Sequence, residues 1–273
     1  MDEPQSTNGA AGLGDYHIHT CYSDGEGEVA EFVERAIALG LSEIGFADHL
    51  VPPGLGEAGS YGIDEGRLDR YVREVRAAGD RYPEIRVLLS VEADYLPEHE
   101  DALAGLLAAH PFDYVVGSIH FVDDFDFADE AKEHHARWDD VDAVFSGYYR
   151  TTRRAAESGL FHIMAHVGYI GLWGHTPSAA VAATEDEALR AIAAAGIILE
   201  LNTGGVLDPA GDMYPSPSLL ERACRMGIPL TFSSDAHSPQ EVGMSFPEGA
   251  ARARKAGYAS VVRMSDRGEI PLP

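Results

Sequence analysis

Residues 13–25 read LGDYHIHTCYSDG. The stretch from Leu13 to Ile18 has the pattern of a short β-strand, and it runs out into His17-Ile18-His19, with Asp24 in the loop that follows. Residues i and i+2 of a strand point to the same face, so both imidazoles can reach one metal ion. An isolated His-x-His is more often two polar residues at a strand end. The rest of the chain decides between the two readings.

Working outward, the same arrangement recurs. Six further apolar segments read as strands, at about 42–47 (SEIGFA), 86–93 (RVLLSVEA), 113–119 (DYVVGSI), 160–165 (LFHIMA), 196–201 (GIILEL) and 228–233 (IPLTFS). They close on Asp48 and His49, Glu92 and Asp94, His120, His166, Glu200 and Asn202, and Asp235 and His237 respectively. Helical patterns separate them, at about 28–39 with Gly40 as C-cap, 64–80, 97–109, 139–158, 184–195, 216–226 and 239–256. A last short strand is predicted at 259–263. Strand–helix alternation predicts an α/β fold with a parallel sheet, either closed as a barrel or doubly wound. Seven strands that each end in a metal-compatible side chain favour a barrel, whose strand ends face one mouth.

Glu92 ends a buried apolar strand. A carboxylate there is costly unless it is paired or bound to metal, and its two oxygens can bridge two cations, which an imidazole cannot do. Asp94 reads as a supporting or solvated acid. Asp48 is open between a ligand and a group that orients a neighbouring histidine. His99, His110, His134, His135 and His162 fall in helices, charged loops or mid-strand and read as structural or solvated. His175, in the loop beyond the fifth strand, is a candidate for substrate contact and acid–base work.

The bulk composition narrows the class. The chain has 273 residues, 45% of them hydrophobic, and a formal net charge of −25. This suits one large domain over 13–273. Residues 1–12 read as a disordered polar tail without a secretion signal. The longest apolar runs, such as 193–201, are too short to span a bilayer. Cys21 and Cys224 lack metal or redox spacing, and a cytoplasmic location is the default. Lys132 and Lys255 are the only lysines. So acidic a surface makes nucleic acid an unlikely partner. No Gly-x-Gly-x-x-Gly and no P-loop follow a strand, which removes the usual nucleotide-binding readings.

The motifs DYHIHTCYSDGEG, GFADH, VEADY, GSIH, AHVGYI, LELNTGG and SSDAHSP together resemble the polymerase and histidinol phosphatase (PHP) family, most closely its histidinol-phosphatase branch. The resemblance covers nearly the whole chain. It implies a distorted seven-stranded (β/α)7 barrel and three divalent metals per chain (Zn, Mn or Fe). The first metal would be held by His17, His19, Glu92 and Asp235, the second by Glu92, His120 and His166, and the third by Asp24, His49 and His237. It implies a phosphoesterase for a small phosphorylated substrate, with L-histidinol phosphate leading. Other phosphomonoesters, cyclic phosphates and nucleotides are alternatives, and a non-phosphate metallohydrolase is a more remote one. A hydroxide between two metals about 3.5–4 Å apart would be the nucleophile, with Asp235, His237 or His175 helping the leaving group. Members of this branch commonly carry His-x-Asp at the fifth motif and a basic residue after it. Here the Asp position is Gly168, and no Arg or Lys follows. Arg150 is then a candidate substrate contact, as are Arg67, Arg153 and Arg154.

Overall fold

The computed structural model describes residues 10–53 and 60–273. Strands β1 (Gly14–Asp15), β2 (Glu43–Phe46), β3 (His49–Leu50), β4 (Arg86–Leu89), β5 (Glu92–Asp94), β6 (Val116–Ser118), β7 (Phe121–Val122), β8 (Phe125–Asp126), β9 (Ile163–Met164), β10 (Ile198–Asn202), β11 (Leu230–Ser233), β12 (Ser260–Val262) and β13 (Glu269–Pro271) are interleaved with seven described α-helices. These are α1 (Val29–Leu39), α2 (Glu65–Arg81), α3 (Glu100–Ala108), α4 (Val141–Ser158), α5 (Ala182–Ala195), α6 (Pro217–Arg225) and α7 (Phe246–Ala256).

Helix α1 shows why the alternation folds as it does. Val29, Phe32, Val33 and Ala36 recur at helical spacing and are all buried, and each large side chain so covered contributes roughly 1.5–3 kcal/mol. Gly40 ends the helix at φ 74°, with its N–H on the carbonyls of Ala36 and Ile37. Helix α2 follows the same logic through Leu68, Tyr71, Val75 and Ala78.

The core strands pair in parallel in two ladders, β1-β2-β4 and β11-β10-β9-β6-β5-β3. The core strands thus form a parallel α/β arrangement in two ladders, neither of them closed. Two strands that read as single runs are interrupted, between Phe46 and His49 and between Leu89 and Glu92. At the first break the Asp48 side chain turns toward the loop after His19 instead of keeping the pleat. Past Asp15 the chain stays extended against both neighbours. Ile18 forms an isolated parallel bridge with Ala236, the His19 N–H donates to the Ala236 carbonyl at 2.9 Å, and the Ile18 carbonyl accepts the Ala47 N–H at 2.9 Å.

Other departures have local causes. The helix expected over 239–256 begins only at Phe246, because Gly243 (φ 67°) and Ser245 (φ 56°) break it. Strands β7 and β8 form an antiparallel hairpin that the sequence reading lacked, leading into the highly charged stretch 123–137. Strand β12 pairs with β13, a second hairpin that the sequence reading lacked. Packing begins before residue 13: Ala10 is buried and Gly12 donates to the Gly40 carbonyl. Residues 1–9 of the tail expected over 1–12, and residues 54–59 of the loop that the Gly- and Pro-rich sequence predicts over 51–62, lie outside the described residues. No described helix is long and apolar enough to cross a membrane.

Candidate metal centre

The nine expected ligands come together beyond the C-terminal ends of the core strands. Glu92, at the start of β5, lies at the centre and is 1% exposed. Its Oε2 lies 2.7 Å from His49 Nδ1, 3.3 Å from His17 Nε2 and 3.6 Å from His19 Nε2. Its Oε1 lies 2.9 Å from His166 Nε2 and 3.7 Å from His120 Nε2. Asp235 Oδ1 is 3.0 Å from His19 Nε2 and 3.7 Å from His17 Nε2. Toward solvent, Asp24 reaches His49 Nε2 at 3.4 Å, His237 Nε2 at 3.5 Å and His19 Nδ1 at 3.7 Å. Tetrahedral ligation at about 2.0–2.2 Å separates neighbouring donors by roughly 3.3–3.6 Å, close to most of these distances.

In three groups the candidate donor atoms lie close enough together to hold a metal ion: His19, Asp24, His49 and His237; His17, His19 and Glu92; and His49, Glu92 and His120. Further support comes from buried polar atoms that make no well-directed hydrogen bond despite their close acid and imidazole neighbours. These include His17 Nε2, both ring nitrogens of His19, His49 Nδ1, Glu92 Oε2 and His166 Nδ1. Buried polar atoms are rarely left unpaired, and here several converge on one point. The residues therefore fit a cluster of divalent cations.

Electrostatics point the same way. Burial opposes the charge on Glu92, yet the imidazoles of His49, His17 and His120 hold its carboxyl well below the usual range. Burial likewise opposes charging His237, but its contact with Asp24 and the field of Asp235 push it up to about 9. His19 is driven down to about 3 by burial and by His237 and His49. Three carboxylates in this space demand compensating positive charge, which protons on imidazoles or divalent cations can supply.

A surrounding layer fixes the ligands. His17 Nδ1 pairs with Glu200 at 2.8 Å and His120 Nδ1 with Asp94 at 2.5 Å. His237 Nδ1 lies 2.9 Å from the Asp235 carbonyl. Asn202 donates to Asp235 Oδ2 at 2.9 Å. Such partners set imidazole tautomer and orientation. Asp48 is neither a ligand nor a histidine partner. It accepts from the backbone N–H and hydroxyl of both Thr20 and Ser23, and so ties down the loop that carries Asp24. Gly25 lets that loop fold back, since a Cβ there would sit 2.2 Å from the His19 carbonyl oxygen. Asp15, which the sequence reading passed over, does the same for the Asp235 loop, accepting from Ser234 N–H, Ser234 Oγ and Gly243 N–H.

Two ligands have backbones in the left-handed region, Asp235 at φ 55° and His166 at φ 26°. Such strain costs of order 1–3 kcal/mol per residue. Each is held by a buried acid, Asp235 through Asp15 on adjacent Ser234, and His166 through its own N–H on Glu200 Oε2 at 2.7 Å. Two residues on, Gly168 takes φ 102°, a conformation L side chains rarely adopt. That backbone accounts for glycine where an aspartate was expected.

The pocket over the ligands has a volume of about 690 Å³, and its wall includes Tyr61, Phe121, Asp124, Asp126, Asp129, Lys132 and Tyr169. His175 is not part of it. Its ring stacks on Trp138 at 4.1 Å and its Nε2 faces the Glu133 carbonyl, so it braces the segment that carries the wall. Arg150 and Arg154 line a different cavity, of about 520 Å³, beside α4. Arg67 caps the carbonyl of Cys21, and Arg153 pairs with Glu157 and Glu187. Among the described residues, Lys132 is the one lysine or arginine on the metal-pocket wall. Its signal was the charged stretch 123–137, which periodicity alone could not place.

Imidazoles and acids gathered at the ends of parallel strands define an α/β protein with a candidate site for divalent metals. The chain belongs to the PHP domain family, whose model matches residues 15–204. It is 32% identical over 254 residues to a probable histidinol-phosphatase of Deinococcus radiodurans, covering 92% of this chain and 96% of that one. It is 27% identical over 257 residues to the histidinol-phosphatase of Bacillus subtilis, covering 85% and 96%. The fold is similar to that of histidinol phosphate phosphatase from Lactococcus lactis, crystallised with zinc, L-histidinol and phosphate. That match has a TM-score of 0.79 and 22% identity, covering 94% of this chain and 98% of that one.

Proposed function

We propose that the protein is a metal-dependent phosphomonoesterase that hydrolyses L-histidinol phosphate to L-histidinol and phosphate, with the cytoplasm as its place of work. The observation that carries this reading is Glu92, buried among five imidazoles with Asp24 and Asp235 beside them. We read the donor groups as three divalent sites: His17, His19, Glu92 and Asp235; Glu92, His120 and His166; Asp24, His49 and His237. We also read the two ladders as a distorted seven-stranded barrel whose closure runs through the Ile18–Ala236 bridge.

When bound, divalent cations neutralise phosphate oxygens and lower the pKa of water. The chain's own residues do the rest. Glu200 and Asp94 hold His17 and His120 with their Nε2 atoms toward Glu92. Lys132 offers a positive charge on the wall, 3.3 Å from Asp129, where it can take the place of a basic residue after the fifth motif. We read Asp235 and His237, on the more exposed side of the cluster, as the residues that assist departure of the alkoxide. His175 and Arg150 take no part in these roles. The names of the relatives support the substrate. The test is phosphate release from phosphomonoesters, phosphodiesters and cyclic phosphates with added Mn²⁺ or Zn²⁺. Turnover of L-histidinol phosphate is expected, and turnover of diesters alone rejects the proposal.

A further inference from the structure

We infer that Asp126 is a specificity residue, which holds the cationic amine of an aminoalkyl phosphomonoester while the phosphate lies against the metal-ligating floor. This rests on the phosphomonoesterase reading above and adds the substrate feature that the pocket selects.

The wall formed by the β7–β8 hairpin and the turn after it carries three acids, Asp124, Asp126 and Asp129. Two are already committed. Asp124 is paired with Arg137, and Asp129 accepts the Ala131 N–H and pairs with Lys132. Asp126 is not. Its Oδ1 accepts the N–H groups of Ala128 and Asp129, both at 3.1 Å. Among the described residues no donor takes its Oδ2, and no Lys, Arg or His nitrogen lies within 4.0 Å.

Asp126 faces the same space as the metal floor. Burial raises the Tyr61 and Tyr169 hydroxyl pKa values, and the Asp126 charge adds to the rise in both. Burial also raises Asp126 itself, while His120 pulls it down. The Tyr61 and Tyr169 rings flank His120 at 6.2 and 5.6 Å. The same pocket is lined by His49, Glu92, His120, His166, Asp235 and His237, the expected metal-binding floor. The pocket therefore has two kinds of lining with opposite preference. One calls for cations bearing an anion. The other offers a half-buried carboxylate with one oxygen pinned by backbone and the other open. A protonated amine makes a charge-assisted hydrogen bond there, and nearby tyrosine faces add to its attraction. A second phosphate is repelled from the same place.

The test uses metal-loaded enzyme and two matched substrate pairs: L-histidinol phosphate with its des-amino analogue, and 3-aminopropyl phosphate with propyl phosphate. Asp126→Asn keeps the oxygen that anchors the turn. Wild type is expected to prefer the amine-bearing member. In Asp126→Asn, kcat/KM for amine-bearing members falls at least tenfold, chiefly through KM. The des-amino members change less than twofold, and metal content is unchanged. An equal fall on both members of a pair, or no fall on either, overturns the inference. Turnover of the aminopropyl pair alone rejects L-histidinol phosphate as substrate, while its amine preference still decides on Asp126. No turnover of any phosphomonoester removes both proposals.

Discussion

Replacing Glu92 with alanine takes away the carboxylate that two of the three donor groups share. Of the three carboxylates among the expected donors the cluster then keeps two, Asp24 and Asp235, against as many as three divalent cations. A carboxylate and a unit charge about 4 Å apart interact by roughly 4 kcal/mol at an effective dielectric near 20, and a divalent ion roughly doubles that. If only a quarter of the doubled figure survives relaxation, each ion loses about 2 kcal/mol, more than tenfold in affinity. The group of His19, Asp24, His49 and His237 keeps all four of its donors. Glu92→Ala should therefore lose more than one metal equivalent after dialysis, whereas wild type retains its full complement. Elemental analysis by plasma mass spectrometry reads this directly, with circular dichroism to show that the variant is folded. A folded Glu92→Ala protein with unchanged metal content would refute the bridging role.

Asp15 yields a pH prediction. Burial raises its pKa from 3.8 to about 6, so its contribution to stability is full below about pH 4 and is lost as pH rises through about 6. The change corresponds to roughly 3 kcal/mol. Urea unfolding of chelator-treated protein should show wild type losing stability relative to Asp15→Asn across that window, and parallel pH curves would contradict it. Asp94→Asn loosens the hold on His120, so the metal concentration that restores half-maximal activity should rise about 10–100-fold; an unchanged metal titration counts against the orienting role. His175→Ala and Arg150→Ala should leave kcat/KM within about twofold, because neither side chain lines the metal pocket. A tenfold loss in either would mean that the pocket is drawn too small.

That these imidazoles and acids would gather at one place was legible because period-2 alternation and strand ends are local properties. His17 and His19 share a face whatever the rest of the chain does, and Asp235 and His237 repeat the pattern. The supporting acids were harder. Asp15 and Asp48 work through backbone N–H groups in loops distant in sequence, and nothing in their own neighbourhoods marks this. His175 looked like a pocket residue because it follows a strand end, but Trp138, remote in sequence, offers it a flat partner. Arg150 lies on a helix whose outer face meets a separate cavity. The breaks within the second and third strands were invisible because Phe46-Ala47-Asp48 and Leu89-Ser90-Val91 keep the composition of a strand while the pairing shifts from one ladder to the other.

The left-handed backbones of His166 and Asp235 carry a further consequence. Their tension is met by Glu200 and Asp15, groups that belong to the polypeptide and stay when ions leave. The receptacle thus exists before its cargo. If divalent ions bind as proposed, stripping with a chelator should leave a folded vessel that takes them up again.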